Sequence, residues 1–108
     1  MAKGYMSHII CCGDRAYINH IIYINTNGII SVPEPFYGEK ESIKFTDAII
    51  VVLSADAAPH KDEIITTLSS AISKNPEEHP SEIILKHHLY KEFQAKPESQ
   101  SIIIEIYT

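Results

Sequence analysis

The chain carries a single arginine, Arg15, and its nine basic residues stand against fourteen acidic ones, a formal charge of −5 with neutral histidines. Phosphate backbones are held by clustered Lys and Arg, and no such cluster occurs, so the composition argues against nucleic acid as a partner. An anionic membrane surface is disfavoured on the same ground. No apolar run approaches the ~18 residues needed to cross a bilayer. The N-terminus shows no long apolar segment behind a basic start, and no signal peptide is expected. Cysteine is nearly missing: the two present, Cys11 and Cys12, are neighbours. Adjacent cysteines cannot staple distant parts of a fold, and a bond between them closes a strained eight-membered ring. A reducing, cytoplasmic setting is the expectation.

What is present is ordinary for a globular chain, with 44% hydrophobic and 21% charged residues. That excludes whole-chain disorder and collagen-like or low-complexity classes. A length of 108 residues gives one domain over 1–108, with 1–6 as a flexible lead-in because Met6 could serve as an alternative start. Isoleucine occurs twenty times, in short clusters from Ile9-Ile10 to Ile102-Ile103-Ile104.

Residues 8–12 form a short apolar run that reads as a buried strand ending at Gly13. Residues 16–24 read as a second, central strand, with Ile18, His20, Ile22 and Ile24 on one face. Asn25-Thr26-Asn27-Gly28 predicts a tight hairpin, with residues 29–32 as its return strand. Two prolines and a glycine make a loop of residues 33–41, followed by a short strand over 42–45. AIIVVLS, residues 48–54, is continuous and β-branched, as a strand covered on both faces requires. A helix follows, capped at or near Asp56, with Pro59, Asp62 and Glu63 in its early turns and Lys74-Asn75-Pro76 at its end. A second helix starts near Pro80 and stops before Pro97, with Ile84, Leu85, His88, Leu89 and Phe93 inward. Residues 101–107 close the chain as a strand, paired beside AIIVVLS or across a two-fold dimer axis. The order predicts an α+β fold: two layers, a mainly antiparallel sheet of five to six strands with two consecutive helices on one face. A functional site then belongs at a strand end, a sheet edge or an oligomer seam, since a deep interior cavity would consume much of so small a core.

Four constellations could carry chemistry. Ser54, Asp56 and His60 lie at a strand-to-helix junction and supply nucleophile, acid and base types, without a G-x-S-x-G elbow and with Asp56 and His60 one helical turn apart. A metal site could draw on His8, Cys11, Cys12, His20, His79, His87 and His88. No C-x2-C or H-x3-H spacing occurs, Cys11 and Cys12 should face opposite ways, and His87 and His88 diverge by about 100° on a helix, so no metal and no cofactor are expected. Phe36 and Tyr37, in the proline-flanked loop, are candidate binding anchors with Arg15.

The fourth is a pattern of short matches. CCGDRAYI, residues 11–18, resembles the G-D-S-R-A-Y strand of metal-dependent protein phosphatases. IIVVLSADA and SQSIIIEI resemble that family's L-x-S-D-G and closing D-N-x-T strands. The resemblance implies a degenerate phosphatase-like site around Asp14 and Asp56. Departures accompany it: the upstream metal-binding D-G segment is missing, Ala55 stands at the aspartate position with Asp56 shifted by one, and Ser99-Gln100 replaces Asp-Asn. The first two stretches also resemble proteasome-type hydrolases, without a processed N-terminal nucleophile at the matching place.

The expectation is a small cytoplasmic, non-enzymatic binding or regulatory protein, an inhibitor being one form of it. Its partner would be another protein or a small anionic ligand at helix N-termini, with self-association into a homodimer or higher oligomer. The alternative is a hydrolase using Ser54, Asp56 and His60 or the phosphatase-like site. A third reading is a structural subunit of a larger assembly.

Overall fold

Gly13 and Asp14 are all that separates the first two strands, β1 (Lys3–Cys12) and β2 (Arg15–Ile24), which pair antiparallel from Lys3↔Ile24 to Cys12↔Arg15. Gly13 has φ +63° at the first loop position, where a type II′ hairpin turn calls for glycine. The computed structural model describes residues 3–35 and 43–107. Of the lead-in expected over 1–6, Lys3 to Met6 are the first four residues of β1.

Beyond β2 the chain returns along its outer side as β3 (Glu34–Pro35), and β4 (Ile43–Phe45) pairs parallel with Gly4–Met6. Next comes β5 (Ile49–Ser54), parallel to β1 at Ile10↔Ile50 and Cys11↔Val51. A 3₁₀ turn, Ala55–His60, leads into α1 (Lys61–Lys74), then α2 (Pro80–Lys86) and α3 (His88–Glu92). The last strand, β6 (Ser101–Ile106), runs antiparallel to β5. The sheet order is β3-β2-β1-β5-β6, with β4 beside β1. This is the α+β architecture read from the sequence: a six-stranded, mainly antiparallel sheet with helices packed beside it. No helix among the described residues is long and apolar enough to cross a membrane.

Three expectations are corrected. β2 is an interior strand, paired with β1 and β3, but the middle of the sheet is β1. Alternation in β2 also resets at Asn19, which sits at φ +54° opposite His8 and accepts a 2.7 Å hydrogen bond from His8 Nδ1. Ile18 is consequently 52% exposed while Ile22, expected on the same face, is fully buried. The return strand over 29–32 is not regular. Ile30 bridges Ile24, but Ile29 bridges Gln100, and Tyr23 N–H bonds the Ser31 hydroxyl rather than a carbonyl.

The second predicted helix is broken at His87, whose backbone is extended (φ −69°, ψ 137°). The break turns Tyr90 inward, where a continuous helix would have placed His88.

The strands' two faces carry separate apolar clusters. Cys11, Ile49, Val51, Leu53, Ile104 and Ile106 face the helices and meet Ile64, Leu68, Ile84 and Tyr90. Ile10, Ile22, Ile50 and Val52 face the other way, under Tyr5, Tyr17, Ile30 and Ala95. Both sides of β5 are therefore covered, as its unbroken β-branched run requires.

Candidate functional site

The second face is roofed not by helices but by two irregular segments, and a cleft of about 610 Å³ opens between them and the β1–β2 turn. Each wall is fixed by identifiable bonds. The turn wall, with Cys12, Gly13 and Asp14, is held by Tyr90, whose buried hydroxyl donates to the Gly13 carbonyl at 2.7 Å.

The second wall is residues 29–33. Asn25 sets its start: the Asn25 side-chain oxygen accepts from the N–H groups of Asn27 and Ile29 at 2.8 and 3.0 Å. Gly28 then accepts from Ser101 N–H at 2.8 Å, and Ile29 bridges Gln100. With Ile30 bridging Ile24, this one segment touches both flanks of the sheet.

The third wall is residues 94–99. It lies along the side of β5 that β1 vacates when it turns at Gly13: Ser54 N–H donates to Phe93 O at 2.7 Å, and Leu53 bridges Gln94. Lys96-Pro97-Glu98-Ser99 then makes a turn closed by Ser99 N–H to Lys96 O. Pro97 occupies its second position, and Glu98 holds φ +61° at the third, the place a type II turn usually gives to glycine.

The interior is mainly apolar, through Tyr17, Ile30, Ala95 and the two prolines Pro33 and Pro97. Val32, at the mouth, is 80% exposed, an apolar side chain left uncovered beside an apolar hollow. The polar groups are the Cys12 thiol, Ser31, Gln94, Ser99 and Ser101, with Asp14, Lys96 and Glu98 exposed at the edge. Burial raises the pKa of Cys12 above its ordinary value, so the cleft presents a thiol and not a thiolate. Cys11, on the helix side, is pushed up to about 12 by burial, with Cys12 adding to it. Among the described residues the lining contains no imidazole to activate a hydroxyl or the thiol.

The sequence-predicted residues fall elsewhere or at the margin. Arg15 is exposed, its guanidinium 5.4 Å from the Tyr17 ring centre, so it backs one cleft residue from outside. Phe36 and Tyr37 lie outside the described residues. Ser54 is the cap of the 3₁₀ turn: its Oγ accepts from Asp56 N–H and its hydroxyl points to Asp56 Oδ2, both at 3.4 Å. His60 is exposed and packs against the Phe93 ring at 5.6 Å. Asp14 is on the cleft edge and Asp56 on the 3₁₀ turn.

Among the described residues no three His, Cys, Asp or Glu side chains gather as metal ligands would. Cys11 and Cys12 do face opposite ways. His87 and His88 do not diverge, because His87 is outside the helix: their rings stack at 4.6 Å. Sequence reading missed the cleft because its walls meet through the Ile29–Gln100 and Tyr90–Gly13 contacts, which no local pattern announces. Pro33 and Pro97, which lie in the two irregular segments lining the cleft, were the available signal.

No family model matches the chain, and no curated protein or solved structure matches it significantly.

Proposed function

We propose that this chain is a small non-enzymatic binding protein of the cytoplasm that seats a small amphipathic molecule in the cleft on the sheet face opposite the helices. The observation that carries this reading is the cleft itself: about 610 Å³ with a mainly apolar interior and its charged groups at the edge. Ligand sites run to roughly 300–1,000 Å³ with such a lining. Among the described residues the edge carries two carboxylates, Asp14 and Glu98, and one ammonium, Lys96. An uncharged ligand with a hydrogen-bonding end suits this balance better than a small anion does. The N-termini of α2 and α3 are capped by the imidazoles of His79 and His87, and α1 continues directly from the 3₁₀ turn that Ser54 caps. Two free, adjacent cysteines support the cytoplasmic assignment.

Self-association belongs to the same proposal. Ser101 N–H points away from β5 to Gly28, so strand alternation points Ile103 and Glu105 N–H the same way, toward a flank with no strand among the described residues. A second copy would pair there.

The test uses the neutral fluorophore N-phenyl-1-naphthylamine. Saturable binding with one site per chain is expected. Ala95→Trp, which fills the cleft, should abolish it, and Val32→Asp, at a side chain with little packing to lose, should weaken it. Absence of saturable binding, or binding indifferent to both substitutions, refutes the reading.

A further inference from the structure

We propose that His87 is a pH-sensitive latch on the cleft: the neutral imidazole caps α3, α3 holds Tyr90, and Tyr90 holds the β1–β2 turn that forms one wall. This rests on the reading of the cleft as the ligand site.

The chain of contacts is continuous. His87 Nδ1 accepts from Leu89 N–H at 3.2 Å, and His87 O accepts from Lys91 N–H at 3.1 Å. The helix that follows has only five residues, so its first turn is most of it. Tyr90 lies within that turn, 1% exposed, and its hydroxyl reaches the Gly13 carbonyl at 2.7 Å. An N-cap must present an acceptor. A protonated Nδ1 carries a hydrogen and faces the Leu89 N–H donor to donor.

His87 is only partly buried, and among the described residues its titratable and charged neighbours are these. From α3, the His88 ring stacks on His87 at 4.6 Å. From α1, Lys74 shares a surface hollow with His87, alongside Thr66, Thr67, Ser70 and Asn75. Among the described residues no carboxylate belongs to this set. Burial first, then His88, lowers the pKa of His87. At the other end of the relay, Tyr90 is faced by Cys11, Cys12, Asp14 and Tyr17.

A second histidine cap provides the contrast. His79 Nδ1 accepts from both the hydroxyl and the N–H of Ser81, at 2.7 and 3.4 Å. On protonation the Ser81 hydroxyl can rotate and accept instead, so His79 keeps a partner. Leu89 N–H has no such freedom, which makes His87 the sensitive cap.

The experiment compares the wild type with His87→Asp at pH 7.5 and 5.5. Asp caps as well as any residue and stays ionised over this range. Two quantities are read: affinity for N-phenyl-1-naphthylamine, and the hydrogen-exchange protection factor of the Leu89 amide. In the wild type the protection factor should fall about fivefold on acidification, the equivalent of one lost cap, and the affinity should fall with it by a factor no larger. In His87→Asp both should hold. Equal falls in the two proteins, or no fall in the wild type, overturn the latch. Failure of the fluorophore to bind at pH 7.5 removes the ligand reading alone. Exchange then still decides the latch, upheld by loss of protection only in the wild type and overturned otherwise.

Discussion

A methyl group built on Gly4 would lie 2.8 Å from Tyr23 Cε1 and 3.0 Å from Ile43 Cγ1, closer than carbon atoms pack. Gly4 sits in β1 between Tyr23 of β2 and Ile43 of β4, so both sides resist. Overpacking costs about 1–3 kcal/mol, and the half-buried Tyr23 ring can yield toward solvent, which favours the lower half of that range. Gly4→Ala should lower stability by about 1–2 kcal/mol, seen as a lower urea midpoint with an unchanged slope. An unchanged midpoint would mean that the strands separate freely at this point. At this scale the sequence is only partly legible. The opposed faces of Cys11 and Cys12 follow from strand alternation alone. The role of Gly4 does not, because its neighbours arrive from two other strands. Asn19 is harder still: a left-handed residue inside a strand depends on His8 across the ladder, and no local rule points to it.

His87 shows what an element can conceal. Apolar spacing from Ile84 to Phe93 reads as one helix, and no proline or glycine interrupts it. The break is set by the competition between continuing the helix and burying Tyr90 against Gly13, a contact across the whole fold. By contrast the body and exit of α1 were legible, because its apolar stripe and Lys74-Asn75-Pro76 exit are local signals, while its start lies at Lys61 after a 3₁₀ turn and not near Asp56.

The His87 cap carries a stability prediction with a definite sign. The folded pKa of His87 lies below its ordinary 6.5, so between those values the unfolded chain binds more protons. Stability from neutral His87 is complete above pH 6.5 and is lost as the pH falls through that value toward the depressed one. His87→Ala should therefore cost about 1 kcal/mol at pH 7.5, the worth of an N-cap, and much less at pH 5. Urea titrations of both proteins at the two pH values check this. A penalty equally large at pH 5 would mean that the ring acts through packing and not through its lone pair.

At the scale of the molecule, the layer order was readable but the second roof was not. Hairpin turns, two consecutive helical patterns and the β-branched AIIVVLS run specify a sheet with helices on one side. The sequence also demands cover for the far side of β5, yet it does not say that residues 29–33 and 94–99 provide it. That cover makes the fold mechanically single. Cys11, Val51 and Leu53 serve the helix-side core while Ile10, Ile50 and Val52, interleaved with them on the same two strands, serve the other. Neither core can dissolve without releasing strands that the other requires, so the faces should not melt apart. Ile22→Ala on the cleft side and Leu68→Ala on the helix side remove fully buried side chains. Each should cost about 2–4 kcal/mol. In both variants the far-ultraviolet circular dichroism and the tyrosine fluorescence should shift together to one lower midpoint, as a two-state transition requires. If Ile22→Ala instead lowered the fluorescence midpoint and left the helical signal in place, the two faces would be separate folding units. The cleft would then rest on a layer able to open without unfolding the rest.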